Sequence, residues 1–228
     1  MKCVAIFFVL CVAGNSLVDS STATVPNPSV DFDCAHLDDV AKFELSDMVD
    51  PCSQKLENHI QEELRAALEY LSLASHFSRW DVNRPGFAKM FFEAASEERE
   101  HAIKLLEYLL MRGKLVSDVG GLIKSNIFPN ATISHMSGVE ALERALDLEK
   151  SVTNKIRAVI IECEKPHKTK TNKEDRNDYH LVDYLTGVFL EEQYKGQREI
   201  AGRISTMRKF IDRHGPLGEF LYDKSLLE

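Results

Sequence analysis

Four stretches of the chain repeat apolar residues at steps of three and four, which is the period of one face of an α-helix. They cover residues 53–77, 85–111, 137–163 and 178–206, and a shorter segment near 218–224 predicts a fifth helix. No segment shows the sustained alternation of a strand. The third stretch opens on Ser137-Gly-Val-Glu140, the spacing of a capping box. Few residues separate the first helix from the second, and the polar loop PHKTKTNKEDRND separates the third from the fourth, so each pair predicts an antiparallel hairpin. About two dozen residues lie between the hairpins, with little periodicity from Arg112-Gly113 through Pro129. Two hairpins with one long crossover predict an all-α four-helix bundle followed by a short C-terminal helix.

The apolar stripes are interrupted, and the interruptions are of one kind. The first reads Leu56, Ile60, Glu63, Ala67, Tyr70, Ala74, Phe77. The second carries Phe87, Phe91, Ala94, Glu98, His101, Leu105 and Leu109, so the stretch SEEREH turns a carboxylate and an imidazole inward. Glu149 stands in the third row, between Leu146 and Val152, and Gln193 follows Phe189 in the fourth. An unpaired buried carboxylate costs several kcal/mol, against a net domain stability of roughly 5–15 kcal/mol. No lysine or arginine shares these stripes to neutralise Glu63, Glu98 and Glu149. A pair of divalent cations would do so, and oxygen ligands with one imidazole suit iron or manganese better than a thiolate-preferring structural zinc. Taken singly, each residue has an ordinary reading as helix edge or core packing. Taken together, polar groups sent inward from every helix at similar depth predict a di-metal centre in the bundle.

Composition narrows the partners. The 228 residues carry a formal net charge of −8, which disfavours nucleic acid and suits a surface or cavity that attracts cations. Residues 3–13 form a short apolar run after Met1-Lys2, followed by small residues: the pattern of a cleaved secretory signal, too short to span a bilayer. We expect a leader over 1–20, cleaved within about 16–23, an extension over 21–52, and the folded domain over 53–228. No later stretch is apolar for long enough to enter a membrane. The expected compartment is the secretory pathway, either secreted or retained in the ER/Golgi lumen, where disulfides form. Loss of Cys3 and Cys11 with the leader leaves Cys34, Cys52 and Cys163. Cys34 and Cys52 are expected to pair with each other or with a partner chain, and Cys163, on an apolar row, is expected to be a buried thiol. Asn130-Ala-Thr132 is a glycosylation sequon in a loop context.

The runs YLSLASHF from Tyr70, FAKMFFEAASEEREHAIKL from Phe87, ALDLEKSV from Ala145, LEEQ from Leu190 and FLYDK from Phe220 closely resemble the ferritin heavy-chain family. With its leader and cysteine-bearing extension, the chain resembles the secreted insect branch of that family, over residues 56–226. The resemblance implies the ferritin-like four-helix bundle and a ferroxidase that oxidises two Fe(II) with dioxygen and passes Fe(III) to an internal mineral core. Glu63 and His101 match the ligands of the tighter iron, Glu98 the bridge between two irons, Glu149 the ligand of the second iron and Gln193 its neighbouring amide. Tyr70 matches the tyrosine that hydrogen-bonds the centre. Glu97 and Glu100 match carboxylates that move or nucleate iron. The implied requirement is two iron ions per subunit and no organic cofactor, in a shell of twenty-four subunits shared with light-chain-like partners.

One position departs from the family pattern. Asp183 matches an acid of the three-fold entry channel, but Thr186 stands where a second acid is expected. Two other functions fit parts of the pattern: a catalytically silent structural subunit, and a di-iron oxidase with an organic substrate. The complete ligand set disfavours the first. The single Glu-x-x-His, with no second copy near Glu149, disfavours the second.

Overall fold

The computed structural model describes residues 47–114, 135–168 and 175–228. Cys34, the sequon at Asn130 and most of the crossover lie outside the described residues. Helix α1 spans Asp50–Ser78, α2 Pro85–Met111 and α3 Gly138–Glu164. The fourth rod, α4, is made of Tyr179–Tyr184, one π-helical stretch over Leu185–Leu190, and Glu191–His214. A short α5, Pro216–Ser225, ends the chain. The predicted bundle with its fifth helix is the observed one. In the loop before α4, His167–Lys168 pairs antiparallel with Asp175–Arg176, a two-residue ribbon that the hydrophobic pattern does not announce.

Local chemistry sets the helix ends. Pro85 starts α2, where its missing N–H costs nothing. The α1–α2 turn passes through Asn83 at φ 48°, a left-handed position that asparagine tolerates. Ser137 caps α3: its hydroxyl accepts from the Glu140 N–H at 3.3 Å while Glu140 accepts from the Ser137 N–H at 2.8 Å. The last helix then caps two others across the fold. Asp223, fully buried, accepts from the N–H groups of Gly86 and Phe87 at 2.8 and 3.1 Å, at the start of α2. Glu219 accepts from Gly138 N–H at 3.1 Å, at the start of α3, and pairs with Arg84 at 3.2 Å. Gly86 is required there, because a Cβ on it would fall 1.9 Å from the Asp223 carbonyl oxygen.

Helix α1 packs along α2 and α3, α3 packs on α4, and α5 rests on α4 and α2. Phe87, Phe77, Phe91 and Tyr70 form a stacked series with ring centroids 5.0, 5.7 and 6.1 Å apart, leading from the α1–α2 turn to mid-bundle. Aromatic pairs of this kind hold more than their buried area alone. At the other end, Cys52 in the first turn of α1 is bonded to Cys163 in the last turn of α3, with Cα atoms 4.9 Å apart. This corrects both cysteine expectations: Cys52 is not paired with Cys34, and Cys163 is not a thiol. The apolar row correctly buried Cys163, but a period along one helix carries no information about which neighbouring helix end meets it. Helix α1 also takes in Cys52, which the sequence pattern leaves in the extension.

The π stretch adds one residue to a turn of α4, and such turns occur mostly at functional sites. Both Phe189 and Leu190 face the core as a result, and Gln193 follows buried one turn later.

Candidate metal centre

Glu63 from α1 and Glu98 and His101 from α2 meet in mid-bundle, each offering a ligand atom within 4.8 Å of the others. The α1–α2 hairpin does this because both helices have an apolar stripe that faces the same core, and the three residues occupy places on those stripes. Glu63 has no solvent exposure and Glu98 is 4% exposed. His101 Nδ1 stands 3.8 Å from Glu98 Oε2, and its Nε2 stands 3.4 Å from Glu192. Phe189, carried by the π turn, meets the His101 ring edge-on at 5.6 Å. Both oxygens of Glu63, one of Glu98 and Nδ1 of His101 have no aligned hydrogen-bond partner.

The other side of the centre comes from α3 and α4. Tyr70, at the end of the aromatic series, donates its hydroxyl to Glu149 Oε1. Thr153, one turn beyond Glu149, donates to Gln193 Oε1 at 2.8 Å and accepts from Gln197 at 2.6 Å. Glu149 and Gln193 are buried, and both face the cavity together with Glu98 and His101.

Burial sets the electrostatics. It pushes Glu98 up to about 8, with the Glu63 carboxylate pushing the same way and His101 pulling against both. Burial likewise raises Glu63 above the usual carboxylate range. Glu149 is raised to about 7 by burial and then by the charge of Glu98. For His101 burial acts downward, but Glu98, Glu63 and Glu192 outweigh it and hold the imidazole at about 9. Tyr70 is pushed well up by burial and by Glu149. Three acids held above their ordinary values in one layer form a site that a divalent cation would discharge.

The ligand layer opens into a cavity of about 520 Å³ between α2, α3 and α4. Glu97 and Glu100 line it, both exposed, and Glu100 pairs with Lys104 at 3.7 Å. Asp183 is exposed near the start of α4, away from this layer, and the Thr186 hydroxyl donates back to the Val182 carbonyl. Glu63, Tyr70, Glu98, His101, Glu149 and Gln193 are thus brought together; Glu97 and Glu100 border them; Asp183 stands apart.

Three residues of the site are missing from the sequence reading. Thr153 and Glu192 were legible as neighbours, the first at four residues from Glu149 and the second adjacent to Gln193. His59 lies on the same row as Glu63, three residues after Leu56 and four before the carboxylate, with Nε2 2.8 Å from Glu63 Oε1. A histidine in an apolar row reads first as core, and burial does hold this one down to about 4.

Comparison with known proteins gives a consistent answer. Residues 53–210 match the model of the ferritin-like domain. The chain is 57% identical to a ferritin heavy chain of Papilio xuthus over 180 residues, 79% of this chain and 81% of that one. It is 49% identical to the ferritin heavy chain of Drosophila melanogaster, over 90% of this chain and 95% of that one. The crystal structure of Trichoplusia ni secreted ferritin superposes with a TM-score of 0.71 at 53% identity, covering 81% of this chain and 92% of that one.

Proposed function

The chain belongs to the ferritin family, and on that premise we propose that it is the ferroxidase subunit of an iron-storage shell made in the secretory pathway. The observation that carries this reading is the buried Glu63–Glu98–His101 cluster with unpaired ligand atoms, faced by Glu149 and Gln193 at the base of an acid-lined cavity. Fe(II) is the substrate. Glu63 and His101 hold one ion, Glu98 lies between two, and Glu149 receives the second, with Gln193 beside it. Each ion gives one electron to dioxygen, and the product leaves as Fe(III) toward the mineral core. Tyr70 holds Glu149 by hydrogen bond, which fixes the second site without adding a charge. Glu97 and Glu100, at the exposed border of the cavity, are the carboxylates assigned to onward transfer or nucleation.

The shell is proposed to hold twenty-four subunits, with light-chain-like partners contributing the entry-channel acid that Thr186 does not supply beside Asp183. A leader over residues 1–20 sends the chain into the secretory pathway, consistent with the secreted Trichoplusia ni protein it resembles. With Cys52 joined to Cys163, Cys34 is the odd cysteine of the mature chain, and we assign it to a bond between chains. An oxidase acting on an organic molecule would want a largely apolar pocket. This cavity is bordered by Glu93, Glu97, Glu100, Glu192 and Glu199 as well as Lys104, Lys195 and Arg203, and with Glu98 and Glu149 the acids outnumber the bases, which suits cations. A silent structural subunit would not need its ligands buried and unpaired.

The test is aerobic Fe(II) oxidation by the assembled protein against a Glu98→Ala, His101→Ala double variant. Fast oxidation by the parent and near-background rates in an equally assembled variant are expected. Equal rates in both would leave the subunit a structural one.

A further inference from the structure

We propose that His59 is a positioning residue of the ferroxidase centre: its imidazole fixes the Glu63 carboxylate in the orientation that meets the cation. The inference rests on the ferroxidase reading above and adds a residue to it.

His59 and Glu63 sit on successive turns of α1, and both are buried, at 2% and 0% exposure. His59 Nε2 lies 2.8 Å from Glu63 Oε1, within hydrogen-bond reach. In this rotamer the His59 N–H is not aligned on the oxygen, and neither His59 nitrogen nor either oxygen of Glu63 has an aligned hydrogen-bond partner. Neither residue borders the cavity that Glu98, His101, Glu149 and Gln193 face. His59 therefore lies away from the cavity lining, and the ligand atoms that Glu63 meets, on Glu98 and His101, belong to residues that do border it. It is also outside the group of ligand atoms formed by Glu63, Glu98 and His101.

A carboxylate has two oxygens and one free torsion at its end. If one oxygen of Glu63 is to bind a cation, the other must either be solvated or be held. No water-exposed surface reaches Glu63, so a donor has to come from the protein. A neutral imidazole carries one N–H, and at 2.8 Å a rotation of the ring is enough to aim it from Nε2 at Oε1. Such a contact settles the orientation of a ligand before the ion arrives, and removing one outer partner typically weakens metal binding by about 10–100-fold.

The experiment titrates the assembled protein with Co(II) under nitrogen and reads the ligand-field spectrum and the dissociation constant. The variants are His59→Leu, His59→Gln and Glu63→Ala, with thermal midpoints measured alongside. Glutamine can place its amide N–H near the position of Nε2, whereas leucine fills the space without a donor. The expected result is that the leucine variant stays assembled but binds the first Co(II) about tenfold or more weakly, and that the glutamine variant recovers most of the loss with an unchanged spectrum. Parent-like binding by the leucine variant would show that the contact is packing only. A glutamine variant as weak as the leucine one, with a spectrum that has lost an imidazole, would make His59 a ligand rather than a positioning group. Either result overturns the proposal. If Glu63→Ala also binds Co(II) like the parent, the centre itself is misassigned, which separates the failure of this inference from failure of the underlying reading.

Discussion

The two halves of the metal centre are built on different terms. On the α1–α2 side, Glu63, Glu98 and His101 bring buried ligand atoms within reach of one another and leave several without a hydrogen bond. On the α3–α4 side, Tyr70 satisfies Glu149 and Thr153 satisfies Gln193. The first half is incomplete without a cation; the second is complete without one. On the proposed reading, that difference would give one cation a site that strongly wants it and the other a site that can let it go. The ferroxidase proposed above, whose product would have to leave for a mineral, needs both properties side by side.

Substitutions at the incomplete half should have the largest effects. Glu98→Gln keeps the shape and removes the charge, and should weaken the first Co(II) by on the order of a hundredfold, at or beyond the upper end seen for outer partners; a titration under nitrogen reads it. Glu98→Met should do the reverse to the metal-free protein. Above about pH 8, where Glu98 ionises in the fold, replacing this buried, poorly compensated charge by an apolar side chain is expected to stabilise by roughly 1–4 kcal/mol, seen as a melting temperature several degrees higher, with no further rise on adding cation. Tyr70→Phe attacks the satisfied half, so its sign is opposite. Loss of the phenol leaves Glu149 short of a donor and should lower stability by about 1–3 kcal/mol, while first-site Co(II) affinity stays close to that of the parent. If Glu98→Met and Tyr70→Phe shift the metal-free midpoint in the same direction, the contrast between the halves is wrong.

The smallest and broadest effect is in pH. Glu98 at about 8 and Glu149 at about 7 stand above the 4.5 of a free glutamate, and His101 at about 9 stands above the 6.5 of free imidazole. Each binds its proton more tightly in the fold than in the unfolded chain. The stability they contribute is therefore whole below the unfolded values and drains as pH rises through the folded ones. The melting temperature of the metal-free protein should fall between about pH 5 and pH 9, and saturating Co(II) should flatten the decline, because the cation replaces the protons. A metal-free midpoint that rises over that range would contradict the burial of these groups.

Most of the fold was legible because it rests on period alone. Helix α2 runs over the residues its stripe predicts, with Pro85 marking the start. The candidate ligands Glu63, Glu98 and His101, which meet in mid-bundle, were legible for the same reason, since a carboxylate on an apolar stripe is an anomaly that calls for a partner. What stayed hidden depends on relations between helices. The Cys52–Cys163 bond joins residues 111 positions apart, and no single-helix pattern pairs them. The π turn at Leu185–Leu190 was hidden because a reading in steps of three and four assumes a regular helix. His59 was hidden by its own plausibility, as one more bulky residue in a core row.

The caps on α2 and α3 have a consequence in time rather than in space. Asp223 and Glu219 complete the starts of the two helices that carry Glu98, His101 and Glu149, yet they lie within the last ten residues of the sequence. A chain emerging from the ribosome therefore has all the candidate ligands well before it has the acids that close these helix starts. The finished bundle waits on the codons for Glu219 and Asp223, and a chain cut before them would carry the full set of candidate ligands on an unfinished frame.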